Sequence, residues 1–219
     1  MTRIALVGGH GKIARLLIPQ LVDAGHQPVA LVRKPEYTAE LEDLGAEVTL
    51  LDIEASDEDD FARAFDGVGA VVFAAGGGAD GNAARKKTVD LGGSLKSIAG
   101  ATTAGVRRFV QISAMGVDEP LGDDVEPTWV AYVEAKRDAD VALRASDLDW
   151  TIIRPGALTD DPATGEITLA DKVNRGEIPR GDVAALITAV VDDPSTYGHQ
   201  WEVVSGTVPV SEAIRAATS

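Results

Sequence analysis

The chain of 219 residues contains no cysteine, which excludes disulfide bonds, thiolate metal sites and cysteine nucleophiles. Histidine is also scarce. His10, His26 and His199 lie far apart and lack metal-ligand spacing, so we expect no metal site. No apolar run reaches the ~18 residues that a membrane-spanning helix needs, and the N-terminus lacks the layout of a signal peptide. We therefore expect a cytoplasmic protein without a membrane partner.

The chain also has few positively charged residues. The 20 lysine and arginine residues are outnumbered by 35 aspartate and glutamate residues, which gives a formal net charge of −15 at pH 7. Such a surface repels phosphate backbones and anionic lipid, so we expect no nucleic-acid partner. We expect instead a small-molecule substrate and a monomer or weak homo-oligomer. Any anionic ligand then needs a local cluster of positive charge.

Short apolar runs alternate with amphipathic stretches along the first two thirds of the chain. Several runs are continuous Val, Ile, Leu and Ala, which is typical of strands covered on both faces. The predicted strands are Arg3–Val7, 28–32, 47–51, 70–74, Arg108–Ile112, 150–153, 167–170 and 201–204. The predicted helices are 12–24, one that begins with Ser56 as its N-cap, 82–104, 128–146, 182–191 and Val210–Ala217.

The strand–helix pairs have the length of βαβ units. Because such crossovers are right-handed, they predict an α/β fold with a doubly wound parallel sheet. We find no linker or repeat, so residues 1–219 are predicted to form a single domain. The loops at 115–128 and 157–176 are predicted to lie on the substrate side.

A glycine-rich turn, GGHGKIA, follows the first strand at residues 8–14. Glycine at positions 8 and 11 permits a tight turn and lets a pyrophosphate approach the backbone, which then binds it with free N–H groups at the helix N-terminus. The motif predicts a dinucleotide site, although a glycine-rich turn without a ligand is the alternative. The predicted cofactor-binding residues of this turn are Gly8, His10, Gly11, Lys12 and Ile13.

Two cations, Arg33 and Lys34, follow the second strand. A carboxylate at this place would bind the ribose 2′-hydroxyl of NAD, whereas an arginine accommodates the 2′-phosphate of NADP. The pair therefore predicts NADP as cofactor, with NADPH preferred over NADH. Solvated surface charge is the alternative interpretation.

Two further strand ends are predicted to contact the cofactor. Asp52 could accept a hydrogen bond from the adenine amine and Ile53 could pack on the ring, unless Asp52 only terminates the strand. The fourth strand ends in Ala74, Ala75 and Gly76. These small residues leave space at the carboxyl edge of the sheet, where doubly wound folds bind their ligands.

A candidate reaction centre combines Ser113, at the carboxyl end of the fifth strand, with Tyr132 and Lys136 on the following helix. Residues four apart share a helix face, and a nearby ammonium should lower the pKa of the phenol, so that Tyr132 could transfer a proton. Ser113 could hydrogen-bond the substrate oxygen, and Lys136 could also hold the nicotinamide ribose. The alternative is an ordinary helix with a half-buried tyrosine and a solvated lysine.

The order of these motifs, from GGHGKIA to RFVQISAMG and YVEAKRDADVALRASDLDWTIIRPGAL, resembles the atypical short-chain dehydrogenase/reductases. The chain is most similar to the small NmrA-like, or NAD-dependent epimerase/dehydratase-like, NAD(P)-binding members. The resemblance implies a Rossmann fold, NADP in the glycine turn and a triad of Ser113, Tyr132 and Lys136. It also implies that Pro155 and Gly156 lie near the nicotinamide.

Three functions remain open at this point. The first is an NADP-dependent oxidoreductase acting on a small carbonyl, alcohol or quinone-like substrate. The second is a non-catalytic NADP-binding redox sensor, as in some NmrA-like proteins. The third, a nucleotide-sugar epimerase or dehydratase, fits poorly because those enzymes usually carry a larger substrate domain, and less than a third of the chain follows Ile153. The presence of both Tyr132 and Lys136 favours the enzyme.

Overall fold

The computed structural model describes residues 1–78, 82–122 and 124–219. Its strands are β1 (Arg3–Val7), β2 (Gln27–Val32), β3 (Glu47–Leu50), β4 (Ala70–Phe73), β5 (Arg108–Ile112), β6 (Asp149–Pro155), β7 (Ala157–Thr159), β8 (Glu166–Ala170), β9 (Glu177–Pro179), β10 (His199–Ser205) and β11 (Val208–Pro209). Its helices are α1 (Lys12–Asp23), α2 (Thr38–Asp43), α3 (Glu58–Ala64), α4 (Ala83–Arg85), α5 (Gly92–Ala104), α6 (Pro127–Arg144), α7 (Arg180–Val190) and α8 (Val210–Ala217).

A nine-stranded sheet runs through the described residues in the order β11-β8-β10-β6-β5-β4-β1-β2-β3. The seven strands from β10 to β3 are parallel, and the order reverses between β1 and β4, as in a Rossmann fold. The expected fold is therefore confirmed. The sheet departs from parallel pairing at one edge, where β8 pairs antiparallel with β10 and β11 pairs antiparallel with β8. Antiparallel edge strands on otherwise parallel sheets are common.

Both faces of the sheet are covered by apolar side chains. Along β1, Ile4 and Leu6 belong to one hydrophobic cluster, whereas Ala5 and Val7 belong to the cluster on the other face. All four are fully buried. This arrangement explains why β1 reads as a continuous apolar run rather than as an alternation.

Two helix predictions need correction. The N-cap of α3 is Asp57 and not Ser56, because Asp57 and Asp60 form a reciprocal capping box in which each carboxylate accepts from the other residue's N–H. The predicted helix over 82–104 is also not continuous. It consists of α4, a π-helical segment (Lys86–Leu91) and α5.

The described helices include none that is both long and apolar enough to cross a membrane. In the predicted substrate-side loop at 115–128, Asp123 lies outside the described residues.

Candidate functional site

A cleft of about 280 Å³ opens at the carboxyl ends of β1 to β4. Its lining includes nine of the predicted cofactor-binding residues: Gly8, His10, Gly11, Arg33, Asp52, Ile53, Ala74, Ala75 and Gly76. The lining also includes residues that the sequence analysis missed: Leu31, Val32, Tyr37, Leu51, Glu54, Arg85 and Val89. The motifs at four separate strand ends therefore meet in one place.

The glycine turn gives the cleft its closest backbone approach. Gly8 has φ +86°, and a Cβ there would lie 2.8 Å from Cα of Ala75, so both its conformation and its packing require glycine. Gly11 differs from our expectation, since its φ of −65° is open to any residue. Because glycine has no side chain, Gly11 caps α1 with backbone alone and leaves the helix N-terminus open to the cleft. This cradle fits the pyrophosphate of a dinucleotide.

Two cations stand next to this helix N-terminus. Lys12 Nζ donates to Asp160 Oδ2 at 2.5 Å, and Arg180 Nη1 donates to the other oxygen of the same carboxylate at 2.6 Å. Ile13, by contrast, packs against the hydrophobic core. Lys12 and Ile13 both lie outside the lining of the cleft.

The two cations predicted to bind the cofactor after β2 lie in different places. Arg33 is half exposed and lines the cleft, whereas Lys34 lies outside the lining and pairs with Glu36 at 3.0 Å, a hydrogen bond that raises the lysine pKa. His10 stacks on Tyr37 with ring centroids 3.6 Å apart, and these two rings form one wall of the cleft.

Asp52 has a local role as well as a place in the cleft. Its Oδ1 accepts a hydrogen bond from the backbone N–H of Glu54 at 3.0 Å and so fixes the turn after β3. Asp52 thus terminates β3 and also borders the cleft, and its contact with the adenine stays a prediction.

Lys136 is held at the carboxyl end of β5 in the candidate reaction centre. Its side chain is buried, and Nζ donates to the carbonyl oxygen of Ile112 at 3.1 Å. The Asp90 carboxylate, which the π-helical segment turns inward, lies 3.4 Å away and accepts from the N–H of Gly77 at 2.7 Å through its other oxygen. Sequence reasoning missed Asp90 because a π-turn breaks the helical periodicity on which it relies.

The environment of Tyr132 differs from the predicted one. Burial raises the pKa of the phenol, and the charges of Asp90 and Asp140 raise it further, so the lowering by Lys136 is outweighed. The expected lowering of the pKa is therefore wrong, and the phenol stays protonated at neutral pH. Within the described part of the chain, no group accepts a hydrogen bond from its hydroxyl. Trp129 lies one turn earlier, with ring centroids 5.3 Å apart.

Ser113 is buried and hydrogen-bonded within the protein. Its Oγ donates to Asp140 Oδ2 at 2.7 Å, and Asp140, which is fully buried, also accepts from Gln111 Nε2 at 2.7 Å and Arg154 Nε at 2.9 Å. Such a buried carboxylate is stable because three donors satisfy its oxygens and the Arg154 guanidinium compensates its charge. Asp140 follows Lys136 by one helical turn, so this face of α6 could have revealed it.

Buried and surface carboxylates tie the two substrate-side loops together. Glu202 accepts from the N–H groups of Gly116 and Val173, each at 3.1 Å. Glu119 pairs with Lys172 and Arg175 across the same gap.

The end of β6, where Pro155 and Gly156 lie, is tightly packed against the second of these loops. A Cβ on Gly156 would lie 2.2 Å from the carbonyl oxygen of Gly176. Pro155 and Gly156 lie outside the lining of the cleft, like Lys34.

Comparison with known proteins agrees with this geometry. Residues 8–194 match the family described as NAD(P)H-binding, and the chain belongs to that family. It is 37% identical, over 97% of its length and 99% of the relative, to the Bacillus subtilis protein named uncharacterized sugar epimerase YhfK.

Solved structures show the same fold. A Bacillus halodurans protein with the provisional name NAD-dependent epimerase/dehydratase superposes with a TM-score of 0.92 at 36% identity, covering 99% of this chain and all of that one. An anaerobilin reductase of Escherichia coli O157:H7 superposes with a TM-score of 0.75 at 25% identity, covering 93% and 97%. The chain is thus an NAD(P)-binding protein of the NmrA-like, epimerase-like type, in a family of oxidoreductases and epimerases.

Proposed function

We propose that the protein is an NADPH-dependent reductase of a small carbonyl or quinone-like substrate. The proposal is carried by one observation: Lys136 is buried and held against the end of β5, with Tyr132 one turn earlier on the same helix. A buried lysine needs a partner, and here the partners are Ile112 and Asp90. The alternative of a solvated lysine on an ordinary helix does not explain this burial.

Each part of the site has a role in the proposed reaction. The N-terminus of α1 binds the pyrophosphate, Arg33 binds the 2′-phosphate and Lys136 holds the nicotinamide ribose. When bound, the cofactor supplies the hydride. Tyr132 donates its proton to the substrate oxygen as the carbonyl is reduced.

The raised pKa of Tyr132 favours reduction over the reverse reaction. A phenol that stays protonated at neutral pH is a proton donor, whereas alcohol oxidation needs the phenolate as a base. Ser113 supports the substrate oxygen only after its hydroxyl proton turns away from Asp140.

The hydrogen bond from Ser113 to Asp140 also favours a second candidate, an NADP-binding sensor without turnover. In a sensor, this buried network has only a structural role. A panel of aldehydes, ketones and quinones assayed for NADPH oxidation separates the two functions. A reductase oxidises NADPH with at least one class, and a sensor with none.

The names of the relatives divide between epimerase and reductase. The B. subtilis relative is named as a sugar epimerase, whereas the E. coli structural neighbour is named as an anaerobilin reductase. We favour the reductase because a protonated Tyr132 supplies the proton that carbonyl reduction needs.

The cofactor preference is tested by titrating NADPH and NADH into the protein and following the nicotinamide fluorescence. We expect the wild type to bind NADPH more tightly. Arg33→Glu should weaken NADPH binding by roughly 10- to 150-fold, because a charge-assisted contact is worth about 1.5–3 kcal/mol. Arg63→Glu, which changes the same charge on α3 outside the cleft, is the matched control. Equal affinity of the wild type for both cofactors would contradict the preference.

A further inference from the structure

Three charged side chains meet at one end of the cleft, and the sequence motifs account for only one of them. Arg33 follows β2, Glu54 follows β3 and Arg85 ends α4, and all three line the cleft. They lie with Asp52 and Ile53, at the end where the adenosine half of a dinucleotide binds in this fold.

The Glu54 carboxylate lies between the two arginines. Its Oε2 is 3.9 Å from Nη1 of Arg33 and 3.5 Å from Nε of Arg85. Its Oε1 accepts a hydrogen bond from the hydroxyl of Thr88 at 2.7 Å. One oxygen of an acidic side chain thus contacts two guanidinium groups that come from different segments of the chain.

We propose that Arg85 is the second arm of a 2′-phosphate site and that Glu54 is the internal anion with which that phosphate competes. The inference deepens the proposed NADPH dependence and rests on it. A phosphate monoester carries a charge of about −1.5 to −2 at neutral pH, more than one carboxylate, and arginine binds it with paired donors. The phosphate therefore displaces Glu54 from the two guanidinium groups.

The charges of Arg33, Arg85 and Glu54 determine how strongly this end of the cleft distinguishes NADPH from NADH. The three side chains sum to one positive charge with Glu54 ionised and to two without it, in a chain with a net charge of −15. NADH has no 2′-phosphate to replace the carboxylate, so the two arginines keep their internal partner. Glu54 consequently reduces the affinity for NADPH.

The test measures Kd for NADPH, NADH, adenosine 2′,5′-bisphosphate and 5′-AMP by calorimetry, because the bisphosphate and AMP differ only in the 2′-phosphate. Arg85→Gln should raise the Kd for NADPH and for the bisphosphate by about tenfold. The Kd values for NADH and 5′-AMP should stay within about twofold of the wild type. Arg85→Lys keeps the charge but loses the paired donors, so its affinity for NADPH and the bisphosphate should lie between those of the wild type and Arg85→Gln. Arg63→Gln is the matched control and should change none of the four.

If Glu54 competes with the 2′-phosphate, removing its charge should change the NADPH affinity in the opposite direction, toward tighter binding. Glu54→Gln keeps the hydrogen-bond acceptor for Thr88 but removes the charge, so NADPH should bind about three- to tenfold more tightly. NADH should not gain affinity. Glu212→Gln removes the same charge on α8, away from the cleft, and should leave all four affinities unchanged.

The outcomes separate this inference from the proposed function. If Arg85→Gln weakens NADPH and NADH equally, Arg85 contacts the adenine and the inference is overturned. A wild type that prefers NADPH through Arg33 alone, with both Arg85 variants unchanged, also overturns the inference while the proposed function stands. If the wild type shows no preference for NADPH, the proposed cofactor itself fails.

Discussion

At the scale of single residues, the protonation of Tyr132 is set by four neighbouring influences. Burial, Asp90 and Asp140 all raise the pKa of the phenol, and Lys136 alone lowers it. Asp90 is 1% exposed and lies 3.4 Å from the lysine ammonium, so it offsets much of the positive charge that the phenol would otherwise experience. The site is therefore arranged to keep a proton on Tyr132 rather than to remove it.

Tyr132→Phe removes this proton with almost no change in volume. General acid catalysis typically contributes 10²- to 10⁴-fold, so turnover with any substrate found in the panel should fall by about that factor. Cofactor affinity should stay within about twofold, because the ring does not bind phosphates. Lys136→Ala is the comparison variant and should lose both rate and cofactor affinity. Equal rates in wild type and Tyr132→Phe would exclude Tyr132 as the acid.

The raised pKa of Tyr132 predicts a particular pH profile. A proton donor works below its pKa, and this pKa lies above the ordinary value of 10.0. The kcat/KM for carbonyl reduction should therefore show no loss due to Tyr132 between about pH 6 and 9 and should decline only in more alkaline solution. A decline with a midpoint near neutral pH that vanishes in Tyr132→Phe would show that Lys136 dominates after all.

At the scale of elements, the turn from β1 into α1 uses its glycines for different purposes. Gly8 occupies a left-handed conformation against the backbone of Ala75, whereas Gly11 has ordinary helix-cap angles and borders the cleft. Conformation and packing explain Gly8. Access to the helix N-terminus explains Gly11.

The pair Gly8→Ala and Gly11→Ala separates these purposes. Gly8→Ala should cost roughly 1–3 kcal/mol of stability, from the positive φ and the overlap with Ala75, and should lower the Tm by several degrees. Gly11→Ala should lower the Tm less than Gly8→Ala, because its φ is ordinary although its Cβ would lie 3.1 Å from the carbonyl oxygen of Gly8, and it should weaken NADPH binding at least about tenfold, because that Cβ narrows the phosphate cradle. Thermal melts and cofactor titrations of both variants measure this. Normal NADPH binding by Gly11→Ala would place the pyrophosphate elsewhere.

The elements that sequence could predict are those specified by local pattern. β1, β5 and α8 have the predicted bounds, because continuous apolar runs and helical periodicity are local signals. The π-helical segment and β9 were not predicted, since a π-turn has no periodicity of its own and the one pairing partner of β9 among the described residues is β7, from a distant segment.

The residues of the candidate site also fall into those that the sequence could predict and those that it could not. The ends of consecutive strands are predictable because parallel strands share a carboxyl edge, and Gly8, Arg33 and Ala75 were found by this rule. Arg85 and Asp90 come from the interrupted helix, where their inward orientation depends on tertiary packing. No short-range pattern marks them.

At the scale of the whole molecule, one continuous sheet holds both halves of the site in fixed relation. β4 and β5 pair directly in the parallel sheet, so the cofactor cleft at β1–β4 and the reaction centre at β5 share one edge. The chain has a net charge of −15, and in the proposed function the positive charge that an anionic cofactor needs comes from Arg33, Arg85 and the N-terminus of α1, which border the cleft. An oxidoreductase needs such a junction between bound cofactor and proton donor.

Hydride transfer from the cofactor to a substrate carbon is the central claim, and isotope transfer tests it most directly. The protein is incubated with NADPH that carries deuterium at the transferable position of nicotinamide C4 and with an active aldehyde or ketone from the panel, whose alcohol product keeps the transferred deuterium on carbon. Mass spectrometry should find one deuterium in the product of the wild type, formed about 10²- to 10⁴-fold more slowly by Tyr132→Phe. A product without deuterium, or no product from any compound while NADPH binds normally, would contradict the account and leave an NADP-binding sensor.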